Sequence, residues 1–197
     1  VKLKKVQKVE NPNYLFVDLE ISSNAKPGKL NFKLSSATSS EILTYDLLPR
    51  SSNKPQQVTP ADLIYLILPD RFANGDYSND KFEDMADKEM DRTSPWLRHG
   101  GDLKGIENHL AYFNELGVTA LWLNPVIENY QPQTNEGGNM RSAYHGYGFT
   151  DHYNVDKRLG GNAAYKQLID NAHSKGLKVI QDAVYNHVGI NHWILRD

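Results

Sequence analysis

The stretch Ile106-Glu-Asn-His-Leu-Ala-Tyr-Phe-Asn-Glu-Leu-Gly-Val-Thr-Ala-Leu-Trp-Leu123 decides the fold. Its first half carries Ile106, Leu110, Phe113 and Leu116 at helical spacing, and Gly117 stands where a helix C-terminal cap needs positive φ. Its second half, Ala120 to Leu123, is an apolar run without alternation, as in a parallel strand covered on both faces. The same signals recur on either side. Leu63-Ile-Tyr-Leu-Ile-Leu68 is an earlier run of this kind. Downstream, Asn162 to Lys175 carries Ala164, Leu168, Ile169 and Ala172, closes at Gly176, and leads into Leu177-Lys-Val-Ile180. The resulting βαβαβ order predicts a parallel sheet, either open and doubly wound or belonging to a (β/α)8 barrel.

Toward the N-terminus the texture changes. Leu15, Val17, Leu19 and Ile21 alternate with Tyr14, Phe16, Asp18 and Glu20, which is the period of a strand with one buried face. After the turn signal Asn24-Ala-Lys-Pro-Gly28 the pattern returns in Leu30, Phe32 and Leu34, and past a Ser/Thr-rich tip in Leu43, Tyr45 and Leu47. These short strands predict a small antiparallel β-sandwich over residues 1–58. The stretch Pro49 to Pro60 has no hydrophobic period and too much proline for a central strand, so the linker is placed there. Residues 59–197 then hold the βαβαβ segment, which the family resemblance set out below implies to be part of a (β/α)8 barrel that stops after its third strand.

Composition narrows the function. The 197 residues are 39% hydrophobic and 23% charged, those of a globular chain, with a formal charge of −2. Such a balance offers no basic field for a nucleic-acid backbone or an anionic membrane. No apolar run reaches the roughly 18 residues of a membrane span, and Val1-Lys-Leu-Lys-Lys5 lacks the apolar core of a secretory signal. The chain contains no Cys, so disulfides and thiolate metal sites are ruled out; that usage fits periplasm and cytosol alike. The expected partners are neutral or small molecules. A Gly-rich phosphate loop is absent, since Gly100-Gly101 precedes Asp102 rather than a helix start with Lys-Ser/Thr.

Polar residues crowd the C-terminal end of each of the three apolar runs, where βα-barrel enzymes keep their chemistry. After the first, Asn74, Asp76, Asn79 and Asp80 bring hard oxygen donors together around Gly75, and Asp102 in His99-Gly-Gly-Asp102 adds another. Hard oxygens without His or Cys suit calcium better than zinc. The same residues fit a plain Asx turn with solvated carboxylates equally well. After the second run comes a long aromatic loop, Asn124 to Arg158, containing Tyr144-His-Gly-Tyr-Gly-Phe-Thr-Asp-His-Tyr153. A flat aromatic side chain can cover the C–H face of a sugar while His and Asp bind its hydroxyls, although most such aromatics serve to pack a loop. After the third run, Asp182 ends an apolar strand and is followed by Asn186 and His187. A carboxylate there is either one half of a structural ion pair or part of a binding site.

Taken together, these segments resemble signatures of the α-amylase family of glycoside hydrolases, in the family's order. Asp182-Ala-Val-Tyr-Asn-His187 is similar to its region at the end of barrel strand three, and Tyr144-His-Gly-Tyr147 to its sugar-stacking loop. Asp70-Arg-Phe-Ala-Asn-Gly-Asp76 and Gly100-Gly-Asp-Leu-Lys-Gly105 resemble the calcium segments of the neopullulanase and cyclomaltodextrinase branch. The resemblance covers roughly Asp62 to Val188, and residues 1–58 resemble, more weakly, that branch's immunoglobulin-like early-set domain. It implies that Tyr147 stacks on a glucose in subsite −1, that His145 and His187 contact its hydroxyls, and that Asp182 holds an Arg from a later strand. It implies Ca2+ on Asn74, Asp76, Asn79, Asp80, Asp102 and the Gly100 carbonyl. A retaining glycosidase needs two carboxylates about 5 to 5.5 Å apart. The family places them after strands four and five, with a third acid after strand seven, so none of the three falls within these residues. The expectation is therefore an α-glucan hydrolase in a longer, periplasmic or secreted parent, with the cytoplasm as the other compartment and a homo-oligomer as one option for its assembly; these residues alone would be inactive. The alternatives are a non-catalytic carbohydrate-binding or transport-accessory protein of the same fold, or an unrelated βα-barrel for phosphorylated ligands, which the missing phosphate loop disfavours.

Overall fold

The computed structural model describes residues 1–50 and 57–195, so half of the predicted linker, residues 51–56, lies outside the described residues. The chain divides into two compact units, Val1–Pro55 and Gln56–Asp197.

The first unit consists of two antiparallel hairpins, β1 (Lys2–Lys8) with β2 (Leu15–Glu20), and β3 (Gly28–Ser35) with β4 (Ser40–Leu47). The second hairpin keeps unbroken register from Gly28↔Leu47 to Ser35↔Ser40, so Leu30, Phe32 and Leu34 line one face as their alternation demands. β1 has no such alternation because its register shifts between Leu3 and Lys5. A bulge there moves Leu3 and Val6 out of step and hides the strand from a period-2 reading. Among the described residues of this unit none is buried, and Phe16 (57% exposed) and Ile42 (62%) face solvent.

The second unit is built on a three-stranded parallel sheet in the order β11-β6-β5, where β5 is Ile64–Ile67, β6 is Ala120–Leu123 and β11 is Lys178–Gln181. Helix α1 (Pro69–Phe72) follows β5, and α2 (Leu103–Asn108) with α3 (Leu110–Glu115) leads into β6. Between β6 and β11 lie β7 (Ile127–Glu128), β8 (Thr134–Glu136), β9 (Asn139–Arg141), β10 (Asp151–Val155) and α4 (Gly161–Ser174). The architecture is an N-terminal domain followed by part of a TIM barrel.

One face of the sheet packs on the helices: Ile67, Leu121 and Leu123 join Ile106, Leu110, Phe113, Leu168 and Ala172 in a single core. The other face is open, since Ile64, Leu66 and Trp122 are exposed. The sequence predicted cover on both sides, and the structure supplies it on one. The single helix predicted from Ile106 to Leu116 is two. His109 breaks it because its ring Nδ1 bonds the Gly105 carbonyl at 2.7 Å; that carbonyl would otherwise accept the His109 N–H one helical turn on. At the N-terminal edge, Lys178 Nζ grips both oxygens of Asp62 at 2.8 and 2.7 Å, and Thr119 Oγ1 donates to the same carboxylate at 2.8 Å. These bonds, Lys178's first, hold the Asp62 carboxyl well below its ordinary value.

Candidate functional site

Parallel register sets the site. Ile67, Leu123 and Gln181 are cross-strand partners, so the residues that follow, Leu68, Asn124 and Asp182, emerge at one edge of the sheet. Asn124 Nδ2 donates to the His145 carbonyl at 3.2 Å and draws the Tyr144–Tyr147 turn onto that edge. Gly146 makes the approach close: its φ is +84°, and a Cβ there would collide with the Pro125 carbonyl.

On this platform the four residues singled out for substrate come together. The Tyr147 hydroxyl donates to Asp182 Oδ2 at 2.8 Å, and the Tyr147 N–H donates to His145 Nδ1 at 3.0 Å. His145 and Tyr147 stack with centroids 5.7 Å apart and planes 25° off parallel. His187 Nε2 lies 2.9 Å from the Tyr147 carbonyl, which can only accept, so the proton sits on that nitrogen. By the same logic His145 Nδ1 is an acceptor, and its neutral ring carries its proton on Nε2. Burial pushes the His145 pKa down, against a smaller upward pull from Glu136, and so keeps the ring neutral. The bond to Asp182, aided by desolvation, raises the Tyr147 pKa and keeps its hydroxyl a donor. Tyr147 is 37% exposed, so the site presents a half-open aromatic face bordered by imidazole and carboxylate groups.

The oxygen cluster after β5 is more divided. Asn74 Nδ2 lies 2.6 Å from Asp80 Oδ1, and both side chains crowd Gly100, whose φ is +78°. Asn74 Oδ1 and Asn79 Oδ1 are buried with no hydrogen-bond partner among the described residues. Asp76 caps the 3-10 turn Tyr77–Asn79, accepting from Ser78 N and Oγ at 2.9 and 2.6 Å, and these bonds lower its pKa. Asp102 is fully buried and takes N–H donors from Gly75, Asp76, Asn79 and Gly105 at 2.6–3.1 Å. Four donors fill the lone-pair sites of a carboxylate, so Asp102 acts first as the N-cap of α2 and the clasp of the 74–79 loop.

Sequence reasoning overlooked the groups beneath the site. Asp156 and Arg158, each almost fully buried, form a two-bond pair: Nε to Oδ1 at 3.0 Å and Nη2 to Oδ2 at 2.7 Å. Burial alone would raise the Asp156 pKa, but Arg158 outweighs it and the net shift is downward. Arg158 Nη2 also donates to the Asn129 carbonyl at 2.6 Å and Nη1 to the Asp87 carbonyl at 3.2 Å, closing the base of the long loop. The only signal available was an acid and a base two residues apart after Val155, which reads as a solvated turn. In the sequence Asn124 likewise reads as the start of a loop rather than as its anchor.

The model of the alpha amylase catalytic domain matches residues 66–197, and that of the cyclomaltodextrinase N-terminal domain matches 1–51. Neopullulanase 2 of Thermoactinomyces vulgaris is 38% identical over 137 residues, covering 68% of this chain and 21% of that protein. The periplasmic alpha-amylase of Escherichia coli (strain K12) is 35% identical over 156 residues, covering 78% and 23%. Among solved structures, the cyclomaltodextrin glucanotransferase CldA superposes with a TM-score of 0.60 at 37% identity, covering 65% of this chain and 26% of that one. The matches thus span between a fifth and a quarter of the length of these curated relatives.

Proposed function

This chain belongs to the α-amylase family, and on that premise we propose that it forms part of a retaining hydrolase of α-glucans such as maltodextrins and cyclomaltodextrins. The observation that carries the reading is the meeting of Tyr147, His145, Asp182 and His187 at the C-terminal edge of β5, β6 and β11. In the proposed subsite −1 the Tyr147 ring takes the apolar face of a glucose. Its tilt is fixed from one side by Asp182 and from the other by His145. His145 offers its Nε2–H to a hydroxyl, and His187 borders the same sugar. Asp182 spends Oδ2 on Tyr147, and its Oδ1 is the oxygen that would take an Arg from a later strand.

These groups orient a sugar and cannot cleave it. Attack at the anomeric carbon and protonation of the leaving oxygen require two further carboxylates, which we place on barrel strands four and five. The open face of the sheet at Ile64, Leu66 and Trp122 supports such closure by further strands. For residues 1–58 we propose the immunoglobulin-like early-set sandwich of the cyclomaltodextrinase branch, in keeping with the match over 1–51. We place the protein in the periplasm or outside the cell, as the name of its Escherichia coli relative suggests; among the described residues no helix is long and apolar enough to cross a membrane.

Calcium is proposed for the loop after β5. The buried acceptors Asn74 Oδ1 and Asn79 Oδ1, with Asp80 beside them, fit a hard cation that favours oxygen. Asp76 and the Gly100 carbonyl complete the proposed shell, while Asp102, expected from the sequence as a further ligand, has its lone-pair sites taken by four N–H donors and braces the loop instead. The ion would brace the loop and neutralise its carboxylates, and it takes no part in bond cleavage.

The test is to assay a protein that carries the remaining barrel strands on cyclomaltodextrin and soluble starch, following the anomer released by NMR. Turnover with retention is expected. Binding without turnover would favour the non-catalytic accessory reading, and neither binding nor turnover would dismiss both.

A further inference from the structure

We propose that Arg71 is a positioning residue for the Tyr144–Tyr147 turn, and that through Tyr144 it sets where His145 and Tyr147 stand. This role rests on the reading of that turn as a sugar subsite. Arg71 lies in α1, and its guanidinium is held in one plane. Nη1 donates to Asp70 Oδ2 at 2.7 Å and to the Leu97 carbonyl at 2.8 Å, and Nη2 donates to the Pro95 carbonyl at 3.1 Å. Asp70 is itself 1% exposed and fixed by the backbone N–H groups of His99, at 3.0 and 3.1 Å, and Gly100, at 3.3 Å. The plane therefore cannot swing without breaking bonds to the 95–100 segment.

On that plane lies Tyr144, whose ring centroid is 3.7 Å from the Arg71 Cζ, well inside the range of a cation–π contact. From Tyr144 the aromatic row continues to His145 at 6.0 Å and on to Tyr147 at 5.7 Å, where Asp182 ends it. The turn thus has two footings. One is backbone, where Asn124 and Pro125 receive His145 and Gly146 at the end of β6. The other is the Arg71 plane beside the end of β5. Removing the second leaves the turn attached but free to tilt about the first, and a displacement of about 1 Å at a positioning group can cost as much as 100-fold in rate. A lysine would not replace it, because an ammonium has no plane on which to stack and no fork to span two carbonyls.

A merely structural Arg71 and a positioning one differ in coupling. In the protein carrying the remaining strands, R71A should lower kcat/KM for maltotriose about tenfold, and R71K should stay with R71A rather than with wild type. In a Y147A background the same R71A change should cost about twofold or less, because the ring it places against the sugar is gone. Should R71A fail to fold, Y144L answers in its place, since it removes the stacked ring and leaves the bonds of Arg71 intact. Equal losses in both backgrounds, restoration by R71K, or no loss in R71A would overturn the proposal while leaving the function standing. If wild type binds maltotriose without cleaving it, the cycle is read on dissociation constants with the same expectations. A wild type that neither binds nor cleaves it overturns the subsite reading and this role together.

Discussion

His145 stands between two demands. Its Nδ1 must stay unprotonated to accept the Tyr147 N–H at 3.0 Å, and its ring is partly withdrawn from water. Both favour the neutral form, and burial moves its pKa below 6.5. The folded state therefore binds a proton later than the unfolded chain does. Above about pH 6.5 both states are neutral and nothing is lost; as pH falls through that value and on through the lower folded pKa, stability drains away. We predict that NMR titration of the His145 ring gives a midpoint below 6.5, and that sugar binding keeps its strength to that lower pH; a midpoint at or above 6.5 would refute the assignment. At this scale much was legible. Tyr147, His145, Asp182 and His187 stand out through their match to family motifs, whereas their chemistry alone left loop packing and ion pairing open. What stayed hidden was which oxygen each would spend: Asp182 on Tyr147, and Asp102 on four N–H donors of its own loop. Such pairings arise from folded proximity and leave no trace in spacing.

At the scale of elements, apolar runs and capping glycines placed the three parallel strands and α4 to within a residue or two. Three things were not legible. The bulge in β1 broke its alternation, a ring-to-carbonyl bond at His109 split one helix into α2 and α3, and the long loop concealed four short strands. Those strands are two to five residues long, too short for a period to show. Of these elements the loop after β5 is the one most open to test. With calcium on Asn74, Asn79 and Asp80, millimolar Ca2+ should raise the melting temperature by several degrees, since a ligand at a hundredfold excess over its Kd adds about 2.7 kcal/mol. D80N should abolish that shift, and calorimetric titration should then show no binding. A melting curve indifferent to Ca2+ and to chelator would leave the cluster as an Asx turn.

For the whole molecule, the open face of the sheet sets the terms. Ile64 (41% exposed), Leu66 (58%) and Trp122 (40%) form an apolar surface opposite the helical core, and unpartnered apolar surface of this kind favours association. L66K should therefore act with opposite sign in two settings. In the 197 residues by themselves it should improve soluble yield. In a protein whose further strands close the barrel it should destabilise by about 3 kcal/mol or more, because it buries an unpaired charge. A loss in both settings would mean the face is already covered. A parallel sheet was readable at this scale because βαβαβ order admits few topologies, and the family resemblance chose the barrel over the open sheet; the half-open sheet was not readable, because an apolar run declares only that it seeks cover. The central claim is narrower: Tyr147, His145 and His187 form one wall of a sugar subsite. It is tested most directly by a crystal structure, with maltotriose bound, of the protein carrying the remaining strands and inactivated at its nucleophile. The account predicts a glucose ring lying flat on Tyr147, with His145 Nε2 about 2.6 to 3.2 Å from one of its hydroxyls. A sugar seated elsewhere, with the face of Tyr147 bare, would contradict it.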